Sequence, residues 1–152
     1  MSTEKDAAFY ERSDKVWLSA WNEGQLDALD EIYAPNFVRH QPPFPDVVGL
    51  EAYKKYIAGV RASYPDFHLT RLGGISQGDF SATRGVATGT KAGESVMTTA
   101  TGTGQKIEFG WVSYAHWEGD KIAEEWSYSD YLTMVAQLGL IPPLKEIFRG
   151  GG

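Results

Sequence analysis

The chain has 152 residues, of which 42% are hydrophobic and 22% charged, with a formal net charge of −6 at pH 7. These proportions are ordinary for one soluble globular domain, which we expect over residues 1–149, followed by a glycine tail at 150–152. The acidic balance and the lack of a Lys/Arg cluster argue against nucleic acid or an anionic membrane as a partner. The absence of cysteine excludes disulfides, thiol nucleophiles and zinc–thiolate sites. The polar N-terminus is unlike a signal peptide and no apolar run is long enough to span a membrane, so we expect a cytoplasmic protein.

The first half of the chain predicts helices. A first helix ends at Gly24, and a short second helix, marked by residues 26–33, ends at Pro35. An extended segment at 37–40 leads into a proline-rich loop at 40–46, and a third helix covers 50–64. The apolar stripe of the first helix consists of Phe9, Ser13, Val16, Trp17, Ala20 and Trp21.

Beyond Asp66 the pattern changes to the alternation typical of strands. Strands are predicted at 67–72, 80–90, 107–117 and 122–129, and a last short helix at 131–138. Helices followed by hairpin-linked strands predict an α+β fold. In this fold a curved antiparallel sheet wraps with the N-terminal helices into a cone-shaped barrel around a central apolar pocket.

One carboxylate and two histidines are the candidates for chemistry. Asp130 ends an aromatic strand, where it is either a desolvated general base or the N-cap of the helix that follows, and by itself the cap is the commoner role. His40 opens the proline loop, a place where functional residues often lie. His116 precedes Asp130 by fourteen residues, across the Gly119-Asp120 turn. We interpret His68 as a structural or surface residue.

The register of that turn decides whether His116 and Asp130 share a face of the sheet. A two-residue loop with Glu118 opposite Lys121 places them on opposite faces. A bulged loop with Trp117 opposite Lys121 places them on one face. The bulged register would collect Val112, Tyr114, His116, Trp126, Tyr128 and Asp130 into one aromatic patch. Turn chemistry alone leaves both registers open.

Other kinds of site have no support in the sequence. The histidines are scattered without metal-ligand spacing, so we expect no metal. No phosphate-binding glycine loop and no nucleophile elbow occurs, so we expect no nucleotide cofactor and no serine nucleophile. Two possibilities remain for the function: acid/base chemistry without a cofactor, or simple binding of an apolar molecule.

The order of motifs resembles the SnoaL-like polyketide cyclases of the nuclear transport factor 2-like superfamily. The resemblance covers roughly Trp21 to Pro142. Its pieces, in order, are Tyr33-Ala-Pro-Asn-Phe-Val-Arg-His40, Gly49 before a helix, Tyr64-Pro-Asp-Phe67, Gly89-Thr90, Thr103-Gly-Gln-Lys-Ile107, Gly119-Asp-Lys-Ile122, Glu125-Trp126 with Asp130, and Gln137-Leu-Gly139.

The resemblance implies a cone-shaped barrel with a deep apolar cavity, no metal or organic cofactor, and intramolecular aldol closure of a polyketide ester. It implies Asp130 as the acid/base residue with His116 near it, which favours the bulged register, and it places His40 at the pocket. We expect six residues to bind the substrate: His40, Phe44, Tyr56, Tyr114, Trp126 and Tyr128.

Our sequence-based hypothesis is therefore a small cofactor-independent enzyme for an apolar or aromatic carbonyl substrate. Asp130 would remove a proton next to a carbonyl, and aromatic walls would raise the pKa of its carboxyl group by desolvation. The alternatives are an isomerase or dehydratase that uses the same pocket, and a non-catalytic module that binds an apolar ligand or forms dimers. Trp111 and Trp117 would lie on the other face of the sheet, so we expect a homo-oligomer, either a dimer or a dimer of dimers.

Overall fold

The structure, a computed structural model, describes residues 5–150. The predictions for the first four residues and the last two tail glycines fall outside this range. The helices are α1 (Ala7–Glu23), a 3₁₀ helix (Leu26–Glu31), α2 (Leu50–Ser63), α3 (Tyr131–Gln137) and α4 (Leu144–Ile147). The strands are β1 (Tyr33–His40), β2 (Val47–Val48), β3 (His68–Gln77), β4 (Phe80–Thr90), β5 (Lys106–Glu118) and β6 (Lys121–Ser129).

The first helix has well-defined signals at both ends. The Asp6 side chain accepts a hydrogen bond from the Phe9 backbone N–H at 2.8 Å, which makes it the N-cap. Gly24 ends the helix with a φ of 75°, a left-handed conformation that glycine adopts without a Cβ penalty. The predicted stripe buries its central residues, including Trp17 and Trp21, against the sheet.

The second predicted helix is shorter than its periodicity indicated. It is a single 3₁₀ segment that ends at Glu31, and Tyr33 already begins β1. Pro35 lies inside β1, where the register with β6 is irregular between Tyr33 and Val38. Proline is tolerated at such a point because no ladder N–H is required there.

A six-stranded, unclosed sheet in the order β2-β1-β6-β5-β4-β3 confirms the α+β class. One pairing differs from the predicted antiparallel sheet, because β1 runs parallel to β6. We call the face covered by α1 and α2 the inner face and the opposite one the outer face. In β5 alternate residues are buried on the inner face: Ile107, Phe109, Trp111, Ser113, Ala115 and Trp117.

The β5–β6 hairpin combines features of both predicted registers. Glu118 pairs with Lys121 across a two-residue turn, but the register shifts between Trp117 and His116, so that His116 pairs with Glu124. Ala123 is the extra residue of the resulting bulge. No helix within residues 5–150 is long and apolar enough to cross a bilayer.

Two glycines in neighbouring strands provide a matched test of inner-face packing. A Cβ on Gly85 would collide with the Thr70 carbonyl oxygen and the Trp111 ring, whereas a Cβ on Gly73 would meet nothing within 4 Å. We therefore expect Gly85→Ala to destabilise the protein by about 1–3 kcal/mol or more. Gly73→Ala should leave the urea unfolding midpoint nearly unchanged. Equal midpoints for the two variants would contradict this packing.

Candidate functional site

A narrow cleft opens on the inner face between the sheet and α1 and α2. The empty space along it, counted between the wall atoms and out into open solvent, is about 450 Å³. Its walls are mostly aromatic and aliphatic, and its polar lining groups come from Arg39, Tyr56, Tyr131 and three serines, Ser113, Ser127 and Ser129. A largely apolar cleft with a few convergent polar groups is the usual form of a small-molecule site.

A buried ion pair lies beside this cleft, and one of its partners, Arg39, lines the cleft. Arg39 Nη1 donates to Glu125 Oε1 at 2.9 Å, and both side chains are at least nine-tenths buried. Tyr33 donates to the other Glu125 oxygen at 2.7 Å, and Ser113 Oγ also donates to Glu125. Gln41 accepts from Arg39 Nε at 3.0 Å. The charges are thus paired and hydrogen-bonded, as buried charges must be.

Tyr53 ties the ion pair to both long helices. Its ring lies 5.0 Å from the Arg39 guanidinium carbon, a cation–π distance. Its hydroxyl accepts hydrogen bonds from the indole N–H groups of Trp17 at 2.9 Å and Trp21 at 3.0 Å. The interactions around Arg39 therefore join α1, α2, β1 and β6.

Burial and neighbouring groups together shift the pKa values of Arg39 and Tyr33. Desolvation opposes the charge on Arg39, but Tyr53 and Glu125 outweigh it and hold the pKa of the guanidinium above its usual value. Burial, and then the charge of Glu125, raises the pKa of the Tyr33 hydroxyl well above its usual value. Tyr33 is therefore a hydrogen-bond donor at neutral pH.

One indole N–H in the cleft wall has no protein acceptor. Trp111 is 6% exposed, and among the described residues its Nε1 atom has no hydrogen-bond partner. An unpaired buried donor costs about 1–3 kcal/mol. Trp111 Nε1–H is thus a buried donor without a protein acceptor among the described residues, and the Arg39 guanidinium is a second donor group among the cleft-lining residues.

Asp130 does not lie in the cleft. Its side chain is exposed and accepts from the Thr133 backbone N–H at 3.1 Å and the Thr133 hydroxyl at 2.6 Å. It is the N-cap of α3, one of the two roles left open by the sequence. The predicted pocket position is wrong, and with it the expected desolvation by aromatic walls.

His116 is also displaced from the predicted site. It lies on the outer face, where it stacks on Phe80 with ring centroids 4.8 Å apart. His116 pairs with Glu124, six residues before Asp130, so the two candidates are separated by about 20 Å along the strand direction. They do not form an acid/base pair. On the inner face the fourteen-residue spacing belongs instead to Ser113 and Ser127, which are direct cross-strand partners.

The predicted aromatic patch exists, but on the outer face. Val112, Tyr114 and Tyr128 are 44%, 41% and 55% exposed, and Trp126 lies beside Tyr114. Trp111 and Trp117, expected on the outside, are 6% and 3% exposed. The physical reason is that the opposite phase of β5, with Ile107, Phe109 and Trp111, is more apolar and turns towards the helices.

The remaining predicted contacts divide between the two faces. Tyr56 lines the cleft, and Phe44 packs edge-on against Tyr131 of the cleft wall at 4.9 Å. His40 is outside, between Glu124 at 2.7 Å and Asp46 at 3.0 Å, and is stacked on Trp126. The hydrogen bond with Glu124 raises the pKa of His40. Burial opposes this rise, and the hydrogen bond with Asp46 adds to it.

Sequence reasoning missed Arg39, Glu125 and Ser113. A usable signal was present, because Arg39 has the same strand phase as Phe37, and Glu125 has the opposite phase to Trp126. A charged residue in phase with buried positions indicates a buried pair. Within residues 5–150 no cluster of three or more potential metal ligands is present.

The sequence of residues 11–138 matches the family model for SnoaL-like polyketide cyclases. The chain belongs to this family. The fold agrees, since a hypothetical protein with a ketosteroid isomerase-like fold from Catenulispora acidiphila superposes with a TM-score of 0.67 at 18% identity, covering 82% of this chain and 90% of that one. No curated protein matches the chain.

Two other solved structures are similar over most of their length. TsrD from Streptomyces laurentii has a TM-score of 0.80 at 25% identity and covers 91% of this chain and 100% of its own. IdmH from Streptomyces antibioticus, proposed to be a polyketide cyclase, has a TM-score of 0.70 at 29% identity and covers 85% of this chain and 97% of its own. The family supports a cyclase-type function for this chain.

The ion pair predicts an asymmetry between single and double substitutions. Glu125→Gln leaves Arg39 charged and without a counter-charge, which should cost about 3–5 kcal/mol of stability. The double variant Arg39→Met/Glu125→Leu removes both charges and should recover most of that loss. Urea unfolding of the three proteins measures this.

The control is Asp79→Asn, which removes an exposed partner of Lys5 and should barely move the unfolding midpoint. A double variant no more stable than Glu125→Gln would show that the loss comes from packing or from the neutral hydrogen bonds, and not from an uncompensated charge.

Proposed function

We propose that the protein is an acid/base enzyme of the cyclase type that acts on an apolar or aromatic carbonyl compound bound in the inner-face cleft. The observation that carries the proposal is the Ser113–Glu125 hydrogen bond. Ser113 lines the cleft, and the carboxylate behind it is held by Arg39 and Tyr33. The cleft thus combines an apolar wall, a proton acceptor and donors for an oxyanion.

In the proposed reaction, Ser113 Oγ takes a proton from the carbon next to the substrate carbonyl while its own proton passes to Glu125. The C–H electron pair forms an enolate, and Arg39, which lines the cleft, donates a hydrogen bond to its oxygen. The enolate carbon then attacks a second carbonyl of the same molecule, which closes a ring. The new alkoxide takes the proton back through Ser113, so that Glu125 returns to its starting state.

The cleft supports an intramolecular reaction because it is narrow. Trp17, Trp111 and Phe67 would hold an aromatic chain folded, and the alignment of its two carbonyls would make closure an oriented unimolecular step. Isomerisation or dehydration would need the same base and donors. Product analysis separates these reactions.

The function is tested with benzoylacetone, an aromatic 1,3-diketone. The wild-type protein should accelerate exchange of the central C–H for deuterium in D₂O, measured by NMR against buffer alone. Ser113→Ala should reduce the acceleration by about 10²–10⁴-fold, the usual contribution of a positioned base. Quenching of tryptophan fluorescence measures binding separately, since three tryptophans line the cleft.

Asp130→Asn is the matched comparison. Asn caps helices about as well as Asp, so the variant should keep both its fold and its exchange activity. Loss of exchange in Asp130→Asn, with activity retained in Ser113→Ala, would return the base to Asp130. Binding without acceleration by the wild type would favour the non-catalytic ligand-binding module.

We also propose a homodimer through the outer face of the sheet. Phe80, Val112, Tyr114 and Tyr128, each 38% exposed or more, lie together there, and an apolar surface of this kind usually marks an interface. These residues replace Trp111 and Trp117, on which the sequence-based expectation rested.

Light scattering at micromolar concentration should give twice the chain mass, and Tyr128→Glu should reduce it towards the monomer. Phe148→Glu is the control, because Phe148 is equally exposed, at 56%, but lies beyond α4 and outside the sheet. A monomeric wild type, or equal effects of the two substitutions, would contradict the proposed interface.

A further inference from the structure

A second, polar cavity lies on the inner face beside the cleft. Its polar lining groups are Ser13, Asp14, Tyr33, Ser81, Thr83, Ser113 and Glu125, with Trp17, Trp117 and Ile122 among its apolar neighbours. A cavity with this many hydroxyl and carboxylate groups offers a water molecule the partners it needs. The family's apolar pocket therefore accounts for only part of the interior of this chain.

The polar cavity touches the cleft on one side and the surface on the other. Trp17 and Ser113 line both the cavity and the cleft. The cavity also shares three lining residues with a surface groove bordered by Tyr10 and Arg71: Asp14, Ser81 and Thr83. Thr83 and Ser113 are direct cross-strand partners, so the polar groups form a continuous series across the inner face.

Asp14 lies at the end of this series that is nearest to solvent. Its side chain is 22% exposed and accepts a hydrogen bond from Arg71 Nε at 2.6 Å. Desolvation raises the pKa of the Asp14 carboxyl despite the opposing charge of Arg71, and Glu11 adds to the rise. A carboxyl group near the surface with a raised pKa exchanges protons with water more readily at neutral pH than an ordinary aspartate.

Glu125 has no comparable access to solvent. It is 3% exposed, and its carboxylate is enclosed by Arg39, Tyr33 and Ser113. An apolar molecule seated in the cleft would cover the Ser113 side as well. A proton that reaches Glu125 during the reaction can then return to the substrate through Ser113 or pass to solvent through the polar cavity, which Glu125 lines.

We propose that the polar cavity is a proton path, separate from the substrate entrance, that connects Glu125 with solvent through Thr83 and Asp14. The proposal rests on the proposed function, since it assumes that Glu125 is the final proton acceptor.

The transfer is balanced by proton movement alone. Protonated Glu125 gives its proton to water in the cavity, the Thr83 hydroxyl takes a proton from that water as it passes its own to the Asp14 carboxylate, and Asp14 releases one to bulk solvent. Electron pairs stay on the oxygens throughout. A deuteron from D₂O travels the same route in reverse.

The path is tested by comparing two rates for bound benzoylacetone, with protein in excess in D₂O. Ultraviolet absorbance of the enol follows enolisation, and NMR follows replacement of the α-hydrogen by deuterium. In the wild type each enolisation should lead to exchange, so the two rates should agree. A blocked path returns the same hydrogen to carbon, so exchange becomes slower than enolisation.

Two variants block the path in different ways. Asp14→Asn removes the outer proton carrier, and Thr83→Val removes a hydroxyl at nearly constant shape while keeping the Asp14–Arg71 ion pair. Each should lower the ratio of exchange to enolisation by about tenfold while binding and enolisation persist. Thr83→Val keeps the test valid if Asp14→Asn fails to fold.

Asp66→Asn is the control. Asp66 also accepts two hydrogen bonds, both from Thr90, but it lies outside both cavities, so the ratio should not change. An unchanged ratio in Asp14→Asn and Thr83→Val, with enolisation still accelerated, would overturn the path and leave the proposed function standing. A wild type that does not accelerate enolisation would overturn both.

Discussion

The pairing of Arg39 with Glu125 is the constraint on which the interior depends. These residues are register partners on β1 and β6, the two strands that run parallel in an otherwise antiparallel sheet. Parallel neighbours cannot be joined by a short turn, so this pairing must be specified by contacts between distant segments. The ion pair supplies such a contact, and Tyr53 extends it to α1 and α2. An uncompensated guanidinium in this position would be costly, so alternative registers of β1 are disfavoured.

The sequence predicted the elements better than the direction in which they face. The periods of α1, α2 and the four long strands were sufficient to place most of their bounds within a few residues, because each period follows directly from backbone geometry. The faces of β5 and β6 were harder, since both phases carry aromatic residues. The phase that carries His116 and Asp130 was predicted to line the pocket, but it lies on the outer face. The competing phase, Ile107 to Trp117, buries more apolar area, and that difference decides which face turns inward.

Two features could not be predicted from local pattern. The bulge at Ala123 reverses the face assignment of every later residue in β6, and the Gly119-Asp120 turn chemistry allows the hairpin with or without it. The partners of Arg39 and Glu125 are also long-range, because 86 residues separate them. Their strand phase alone could have indicated that both are buried, but not that they meet. Asp130 shows the opposite case. The local rule of helix capping was sufficient to predict its position as an N-cap, and the additional interpretation of Asp130 as a pocket base was wrong about where it lies.

The division of the interior into an apolar cleft and a polar cavity resolves a conflict in the proposed chemistry. A carbonyl substrate with little polarity binds best where water is excluded, yet a base that is sealed from water can exchange its proton only with the substrate. Ser113 lines both the apolar cleft and the polar cavity, and its hydroxyl donates a hydrogen bond to Glu125. Arg39 places a positive charge beside the buried Glu125 side chain, so the compensating charge is built into the fold. In this proposal binding uses the apolar cleft and proton exchange uses the polar cavity, and the ion pair joins the two, because Arg39 lines the cleft and Glu125 lines the cavity.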